Sequence, residues 1–384
     1  MKKFILTKNM LDLLYGLQKN FPSKGFKQLT SLDVKEIRLG KKYAYVTSPS
    51  SYEGVKKLAF TLTKSFFSYI PISVSATAFR TDCSYLEFIE PHRKNYYFTR
   101  VDLKDFFHSI TSDNIKCNLM DYFSDENISG EINQTHVDAI FNFVTLKIDE
   151  NSKNVKFHGK SILPIGFPLS PVISNIVFRK VDIIIERMCF ENNITYTRYA
   201  DDLLFSTRAA SRLNNPFFDT LSEKTSFIHS DKFINEISHI ISVDGYKLNA
   251  KKTIKAVDTL SLNGYTISGT NDPDVKGFIR ISNKKTAIIE KLLHELNKEN
   301  SSDPFVFIKL YKNHLPTLNF SKGKNKFIEK FCTTQINNKL SGYRSYLISI
   351  MKFNNKYDCV NADAIQKYKV LINKLDRMIN KRIS

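Results

Sequence analysis

The sequence predicts a mixed α/β body followed by a basic helical segment, on three observations. In TRYADDLLFST (197–207) two adjacent aspartates sit between β-favouring runs. A second strand-like run, YYFTRV (96–101), closes on Asp102. From about residue 283 strand patterns give way to lysine-rich helical stretches, as in KKTAIIEKLLHELNKE (284–299) and DAIQKYKVLINKLDRMINK (363–381). With 384 residues, 42% of them hydrophobic, the chain can bury a sizeable core in two or three subdomains.

The elements follow in order. Residues 1–40 read as a helical lead-in, because NMLDLLYGLQKNF (9–21) spaces its apolar residues as a helix does. KKYAYVTSPSS (41–51) reads as a short strand ending in a turn, and YEGVKKLAFTLTKSFF (52–67) as an amphipathic helix. Loop signals fall at 124–135, 149–161, 208–216 and 268–277. In LPIGFPLSPVISNIVFRKVDIIIERM (163–188), Gly166 and Pro168 permit close backbone approach, while Ser170 and Pro171 suit a helix start. Ile173, Val177, Val181, Ile184 and Met188 then mark the face to be buried.

Lysine and arginine number 57 against 38 acidic residues, a net charge of +19. That surplus favours a polyanionic partner, nucleic acid before an acidic membrane. No apolar run is long enough to span a bilayer, and MKKFILTKNM is too broken for a signal sequence. The five cysteines are widely spaced and form no CxxC, which argues against a structural zinc or a disulfide framework. A reducing cytoplasm is the expected setting.

An Asp-Asp pair taken alone is an ordinary turn. Paired with a strand-end carboxylate at Asp102, it becomes a cluster suited to a hard cation such as Mg²⁺. Two such ions, roughly 3.5–4 Å apart, can activate an attacking hydroxyl and stabilise a leaving pyrophosphate. Asp102 by itself reads equally well as a turn or helix-capping residue.

The order VDLKDFF, GFPLSPVISN, YADD, GYKLNAKKT, LNGY resembles the successive motifs of reverse transcriptases over about half the chain, roughly residues 75–267. Within that family it resembles bacterial retron and defence-associated, abortive-infection-like enzymes. SATAFRTDCSY (75–85) looks like the family's segment before the palm, and His92 falls at the histidine of the retron Asn-Ala-x-x-His signature.

The resemblance implies an α/β right-hand polymerase: fingers and palm, with an antiparallel palm sheet, plus an α-helical thumb and C-terminal extension. The expected spans are 1–95 (lead-in and fingers), 96–267 (palm with an interleaved fingers segment) and 268–384 (basic helical thumb and extension). It implies RNA-directed DNA synthesis from dNTPs with two Mg²⁺ ions, on a cognate structured non-coding RNA, in antiviral defence. The DNA product is a second partner; an effector protein or a homo-oligomer stays open, and no membrane is involved. Asp102, the Leu103 carbonyl, Asp201 and Asp202 would face the metals, with Lys252 as general acid. Lys42, Phe106, Phe107, Gly166, Pro168 and Ser170 would border the nucleotide. Of the two phenylalanines Phe107 is the steric gate against a ribose 2′-hydroxyl, and Phe106 is better placed to pack in the core. His92, Tyr199, Ala200, Asn263, Gly264 and Tyr265 would lie along primer and template.

Some positions depart from the pattern. Ile165 stands where many reverse transcriptases carry glutamine, which points to low fidelity. Ala44 replaces an arginine, Leu262-Asn263-Gly264 replaces Val-Thr-Gly, and Phe88 replaces the signature asparagine. These shift weight away from standard retrons. A protein-primed or untemplated nucleotidyltransferase, and a non-catalytic RNA-binding scaffold, are the competing classes.

Overall fold

The computed structural model describes residues 3–17, 25–129, 132–208, 226–299, 301–316 and 323–383. Residues 18–21 of the lead-in and 209–216 of one loop lie outside them. The chain forms two compact units, one of residues 1–88 and 98–255, the other of residues 89–97 and 256–384. The three expected spans divide the chain differently: the later break falls near 255 instead of 267, and a short earlier segment joins the second unit.

The first unit opens with α1 (Lys8–Gly16), β1 (Leu29–Thr30), β2 (Val34–Leu39), β3 (Lys42–Thr47) and α2 (Pro49–Ser65). Residues 29–30 and 34–39 are therefore strand, not helical lead-in. Six Cα pairs join β2 and β3 as an antiparallel hairpin, from Val34↔Thr47 to Leu39↔Lys42. Next come α3 (Tyr85–Ile89), β4 (Tyr97–Asp102), α4 (Phe106–Ser109) and α5 (Ser112–Tyr122). The expected loop at 124–135 contains the hairpin β5 (Asn127–Ser129) and β6 (Ile132–Thr135). Its polar composition concealed the pairing. The path continues through α6 (His136–Val144), β7 (Leu146–Lys147) and β8 (Ser161–Ile162) to α7 (Ser170–Glu191).

Helix α7 is the scaffold behind the acidic turn. Its buried stripe is Ile173, Val177, Val181, Ile185 and Cys189; Ile184 is half exposed and Met188 only partly covered. The expected stripe thus slips by one residue after Val181: at 3.6 residues per turn each four-residue step overshoots a full turn by about 40°, so the buried face winds round the helix to Ile185 and Cys189. Ser170 is the first helical residue and makes no side-chain cap. Its hydroxyl donates instead to the Pro164 carbonyl at 2.6 Å.

β9 (Thr195–Tyr199) and β10 (Asp202–Thr207) pair antiparallel from Asp202↔Tyr199 to Ser206↔Thr195. After α8 (Asp231–Ser242), β11 (Ile254–Val257) carries the chain out of this unit. The sheet order is β11-β4-β10-β9, so β4 and β10, which carry Asp102 and Asp202, are its two inner strands.

The second unit has a three-stranded sheet of β12 (Thr259–Leu262), β13 (Tyr265–Ser268) and β14 (Phe278–Ile281). Among the described residues four α-helices follow: α9 (Asn283–Leu296), α10 (Asp303–Tyr311), α11 (Lys324–Tyr357) and α12 (Ala362–Ile383). Arg93, nearly fully buried, ties segment 89–97 into this unit. It bonds Glu90 and the carbonyls of Gly277, Tyr357 and Asp358. The change to helix near residue 283 is as expected. No helix among the described residues is long and apolar enough to cross a membrane, and all five cysteines are free.

Candidate active site

The turn between β9 and β10 is two residues long, Ala200-Asp201. Asp202 is therefore the first residue of the outgoing strand and not part of the tip. Ala200 has φ = +56°, whereas Asp201 is not among the residues of positive φ. A side chain in that conformation costs about 1–2 kcal/mol.

Buried contacts hold the turn in that state. The Arg198 guanidinium is fully buried and donates from Nη1 to the Ala200 carbonyl at 3.1 Å. It also grips Asp182 of α7, with Nε to Oδ1 at 2.9 Å and Nη2 to Oδ2 at 2.7 Å. The Tyr196 hydroxyl bonds the same carboxylate at 2.8 Å, and the Phe178 ring lies 4.6 Å from the guanidinium carbon. The backbone of Arg198 pairs with Ser75 and Thr77, which gives the SATAFRTD segment its structural task.

Asp102 meets this turn through the backbone. The N–H of Leu103 donates to the Asp201 carbonyl at 2.9 Å. The N–H of Asn249 donates to the Asp102 carbonyl at 2.8 Å, and that of Lys104 to the Lys247 carbonyl at 2.8 Å. Three segments separated by about a hundred and by fifty residues are thereby joined where β4 ends.

Each carboxylate faces a cation. Asp102, 3% exposed, accepts from Lys252 Nζ at 2.9 Å and from Asn249 Nδ2 at 3.2 Å. Asp201 lies 3.8 Å from Lys42 Nζ. Asp202 is held by Arg100 through Nε, at 3.0 Å, and Nη2. Burial pushes the Asp202 carboxyl up, Arg100 opposes the rise, and the charges of Asp201 and Asp102 add to it. As the side chains stand, no three acidic, histidine or cysteine groups among the described residues converge on one point that would hold a metal. The donor set nevertheless suits a hard cation: oxygen only, partly desolvated, with concentrated negative charge that draws in Lys42, Arg100 and Lys252.

Arg100, Arg198 and Asn249 escaped the sequence reading. Arg100 had a local signal, since it sits two residues before Asp102 and so on the same face of β4.

The other expected residues fare unequally. Phe107 is half buried against Phe79, with ring centroids 6.1 Å apart. Phe106 is buried among Phe107, Phe178 and Tyr246, so it packs and cannot face a nucleotide. Gly166 and Pro168 are exposed. Gly166 has φ = +105°, and a Cβ there would stand 2.5 Å from the Tyr45 carbonyl oxygen. Its close backbone neighbour is thus β3. Ser170 is buried and engaged with Pro164, which removes it from nucleotide contact.

Tyr199 packs edge-on against Tyr85 at 4.9 Å and near Phe88 at 5.9 Å, and Ala200 is buried. In the second unit, Asn263 (φ = +46°) and Gly264 (φ = +91°) form the two-residue turn between β12 and β13. Asn263 is exposed, whereas the Gly264 carbonyl accepts from Ser282 N–H and Tyr346 hydroxyl. Tyr265 is buried against Tyr346, 5.1 Å between centroids, and His92 is fully buried. Neither ring reaches a nucleic-acid strand from there, which corrects their expected role.

A hairpin turn bearing one carboxylate, hydrogen-bonded to a strand that ends in another, within a helix-backed sheet, is the arrangement of a palm of the right-hand polymerase class. The chain belongs to the reverse transcriptase (RNA-dependent DNA polymerase) family, whose model matches residues 55–267. It is similar to the retron Ec73 reverse transcriptase of Escherichia coli, 32% identical over 169 residues, covering 41% of this chain and 49% of that one. It is also similar to the retron Ec83 reverse transcriptase of the same species, 28% identical over 202 residues, covering 51% and 61%. The chain thus spans about half the length of the curated relatives it matches. A solved structure of telomerase from Candida albicans with a telomeric RNA fragment aligns at TM-score 0.40 and 12% identity, covering 91% of this chain and 63% of that one. The departures at Ala44, Phe88, Ile165 and Leu262 pointed away from standard retrons, yet these curated relatives are retron enzymes.

Proposed function

We propose that this protein is an RNA-directed DNA polymerase that copies a cognate non-coding RNA, acting in antiviral defence. The observation that carries the reading is the Leu103 N–H bond to the Asp201 carbonyl, which fixes two carboxylate-bearing elements at one sheet end. Asp102 and Asp201 are the residues that would hold two Mg²⁺ ions, with Asp202 beside them; the ions would supply charge neutralisation at the primer hydroxyl and the leaving pyrophosphate. Asp202 carries less of that task because Arg100 occupies it. Lys252, close to Asp102, is suited to deliver a proton to departing pyrophosphate. Lys42, close to Asp201, is suited to a phosphate contact. Phe107 shapes the sugar side of the pocket.

The basic surplus supplies affinity for the RNA phosphates and the DNA product. The likeness to retron enzymes supports a dedicated RNA template, and the defence role follows from the same resemblance. The test is to sequence all nucleic acid that co-purifies with the protein, wild type beside Asp201→Ala/Asp202→Ala. One RNA in both samples, with complementary DNA only in the wild type, is expected. DNA without a matching RNA would replace templated synthesis by an untemplated transferase. Identical nucleic acid in both samples would leave only a scaffold. Loss of phage protection in the double variant is the expected outcome for the defence role.

A further inference from the structure

Phe79 stands in a backbone conformation that its side chain resists. Its φ is +62°, in the left-handed region, where a bulky aromatic is an outlier and glycine or asparagine is at home. The ring is also 44% exposed, so core burial does not account for the residue. Strain of this kind persists only where the surrounding structure over-determines it, and it collects at ligand clamps.

The surroundings are specific. The Arg198 N–H donates to the Ser75 carbonyl at 2.7 Å, and the Thr77 N–H and hydroxyl donate to the Arg198 carbonyl at 2.8 and 3.0 Å. Asn175 of α7, buried, donates from Nδ2 to the Ala78 carbonyl at 2.8 Å, and Arg80 donates from Nη1 to the Ala76 carbonyl at 3.3 Å. Ala76 and Ala78 are themselves buried. The chain entering Phe79 is therefore fixed to β9, just before the acidic turn, and to the helix behind it.

What the conformation delivers is a ring against Phe107, with centroids 6.1 Å apart and planes at 55°. Phe107 needs such support. Its helix α4 is four residues long and is entered from Asp105 at φ = +51°, too short to be stable by itself. Phe106, one residue earlier, is packed on Phe178 and Tyr246. Phe107 is only half buried and meets Phe106 at 5.4 Å, so Phe79 supplies backing from outside α4.

We propose that Phe79 is a positioning residue for sugar selection: its ring buttresses Phe107, so that Phe107 keeps the stance that rejects a ribose 2′-hydroxyl. The inference rests on the reading of Phe107 as the sugar-side wall. A steric filter discriminates only while its ring cannot recoil into another rotamer, and that takes a neighbour which is itself immobile. The strained backbone of Phe79 provides one. Filter and acidic turn then share an anchor, because the Arg198 backbone holds segment 75–80 while its guanidinium holds the Ala200 carbonyl.

The test uses the full chain on an RNA template with a DNA primer and measures kcat/KM for a dNTP and for the matching rNTP. Phe79→Asn removes the ring and suits the left-handed backbone; Phe79→Tyr keeps the ring. In Phe79→Asn the preference for dNTP falls about tenfold, through faster use of rNTP with dNTP use little changed. Phe79→Tyr retains the preference. Phe107→Ala abolishes it, and adding Phe79→Asn to that variant changes nothing further. A preference within twofold of wild type in Phe79→Asn, with Phe107→Ala still abolishing it, would overturn the proposal and leave Phe107 as the wall. Equal losses for dNTP and rNTP in Phe79→Asn would also overturn it, making Phe79 merely structural. If Phe107→Ala keeps the preference, or the wild type extends no primer, the underlying reading fails and the proposal falls with it. Should Phe79→Asn not fold, Phe79→Leu decides by the same two-fold criterion.

Discussion

Arg198 and Asp182 form a fork-to-fork ion pair in which neither side chain has any solvent exposure. The pair joins the strand before the acidic turn to the middle of α7. Its remaining donor, Nη1, reaches the Ala200 carbonyl, so the guanidinium couples helix position to turn shape. Breaking one partner leaves a buried charge without compensation, which costs about 3–5 kcal/mol. Arg198→Met and Asp182→Leu are each expected to destabilise by that amount in chemical denaturation. The double variant is expected to lose much less than the sum, since both charges leave together. Additive losses would show that the two do not act as one unit.

The carboxylates proposed to hold metal predict a different signature. Asp102→Asn and Asp201→Asn are expected to reduce DNA synthesis by about 10³-fold or more while leaving the melting temperature within a few degrees of wild type. The partners Lys252 and Lys42 are partly exposed, so losing those pairs costs little stability. Lys252→Met is expected to lower kcat by about 10²-fold, within the usual range for general acids, with KM for dNTP little changed. A rise in KM with unchanged kcat would make Lys252 a binding residue instead.

Gly166 tests the geometry of the loop before α7. Alanine there must adopt φ near +105° and bring its Cβ within 2.5 Å of the Tyr45 carbonyl oxygen. Backbone atoms on β3 cannot give way as a flexible side chain would. Gly166→Ala is expected to cost about 2–4 kcal/mol, combining backbone strain and overpacking. Equilibrium denaturation checks this; a loss below 1 kcal/mol would mean that the loop has room to shift.

Buried His92 gives a pH dependence. Burial lowers its pKa to about 3 from an ordinary 6.5. Between those values the unfolded chain binds the proton and the folded chain does not, so stability rises with pH across the window. The contribution is complete above pH 6.5 and lost progressively as pH falls toward 3, at up to about 1.4 kcal/mol per pH unit. His92→Gln is expected to flatten that slope. The check is the difference in unfolding free energy between the two proteins at pH 7 and pH 4.5, which should shrink at the lower pH.

What the sequence made legible was local. Asp102, Asp201 and the strands around them declare themselves by alternation and by a strand end, and the lysine-rich helices by periodicity. The acidic pair was misread only in register, because Asp202 opens a strand and Ala200 takes the turn. What stayed hidden depends on distant partners. Nothing near Asp182 says that Arg198 will meet it, and nothing near Tyr265 says that Tyr346 will cover it. The β5–β6 hairpin was missed because SDENISGEINQT has loop composition. The Asn263-Gly264 turn carried a strong hairpin signal that the family resemblance overshadowed.

The cation at each carboxylate makes a last prediction about metal. Lys42, Arg100 and Lys252 neutralise the site in the absence of divalent ions, so Mg²⁺ must compete with them. Arg100 grips Asp202 through two nitrogens and is the hardest to displace; Lys42 and Lys252 are single, partly exposed contacts. Mg²⁺ bound to the folded state alone should stabilise it by about 2.7 kcal/mol at a hundred times Kd. Lys42→Met and Lys252→Met are expected to tighten Mg²⁺ binding, because each removes a competing cation; calorimetry with Mg²⁺ in the absence of nucleic acid reads this directly. Asp102→Asn and Asp201→Asn are expected to abolish the Mg²⁺-dependent rise in melting temperature. A rise that survives both substitutions would place the metal elsewhere and remove the basis for assigning it to these two carboxylates.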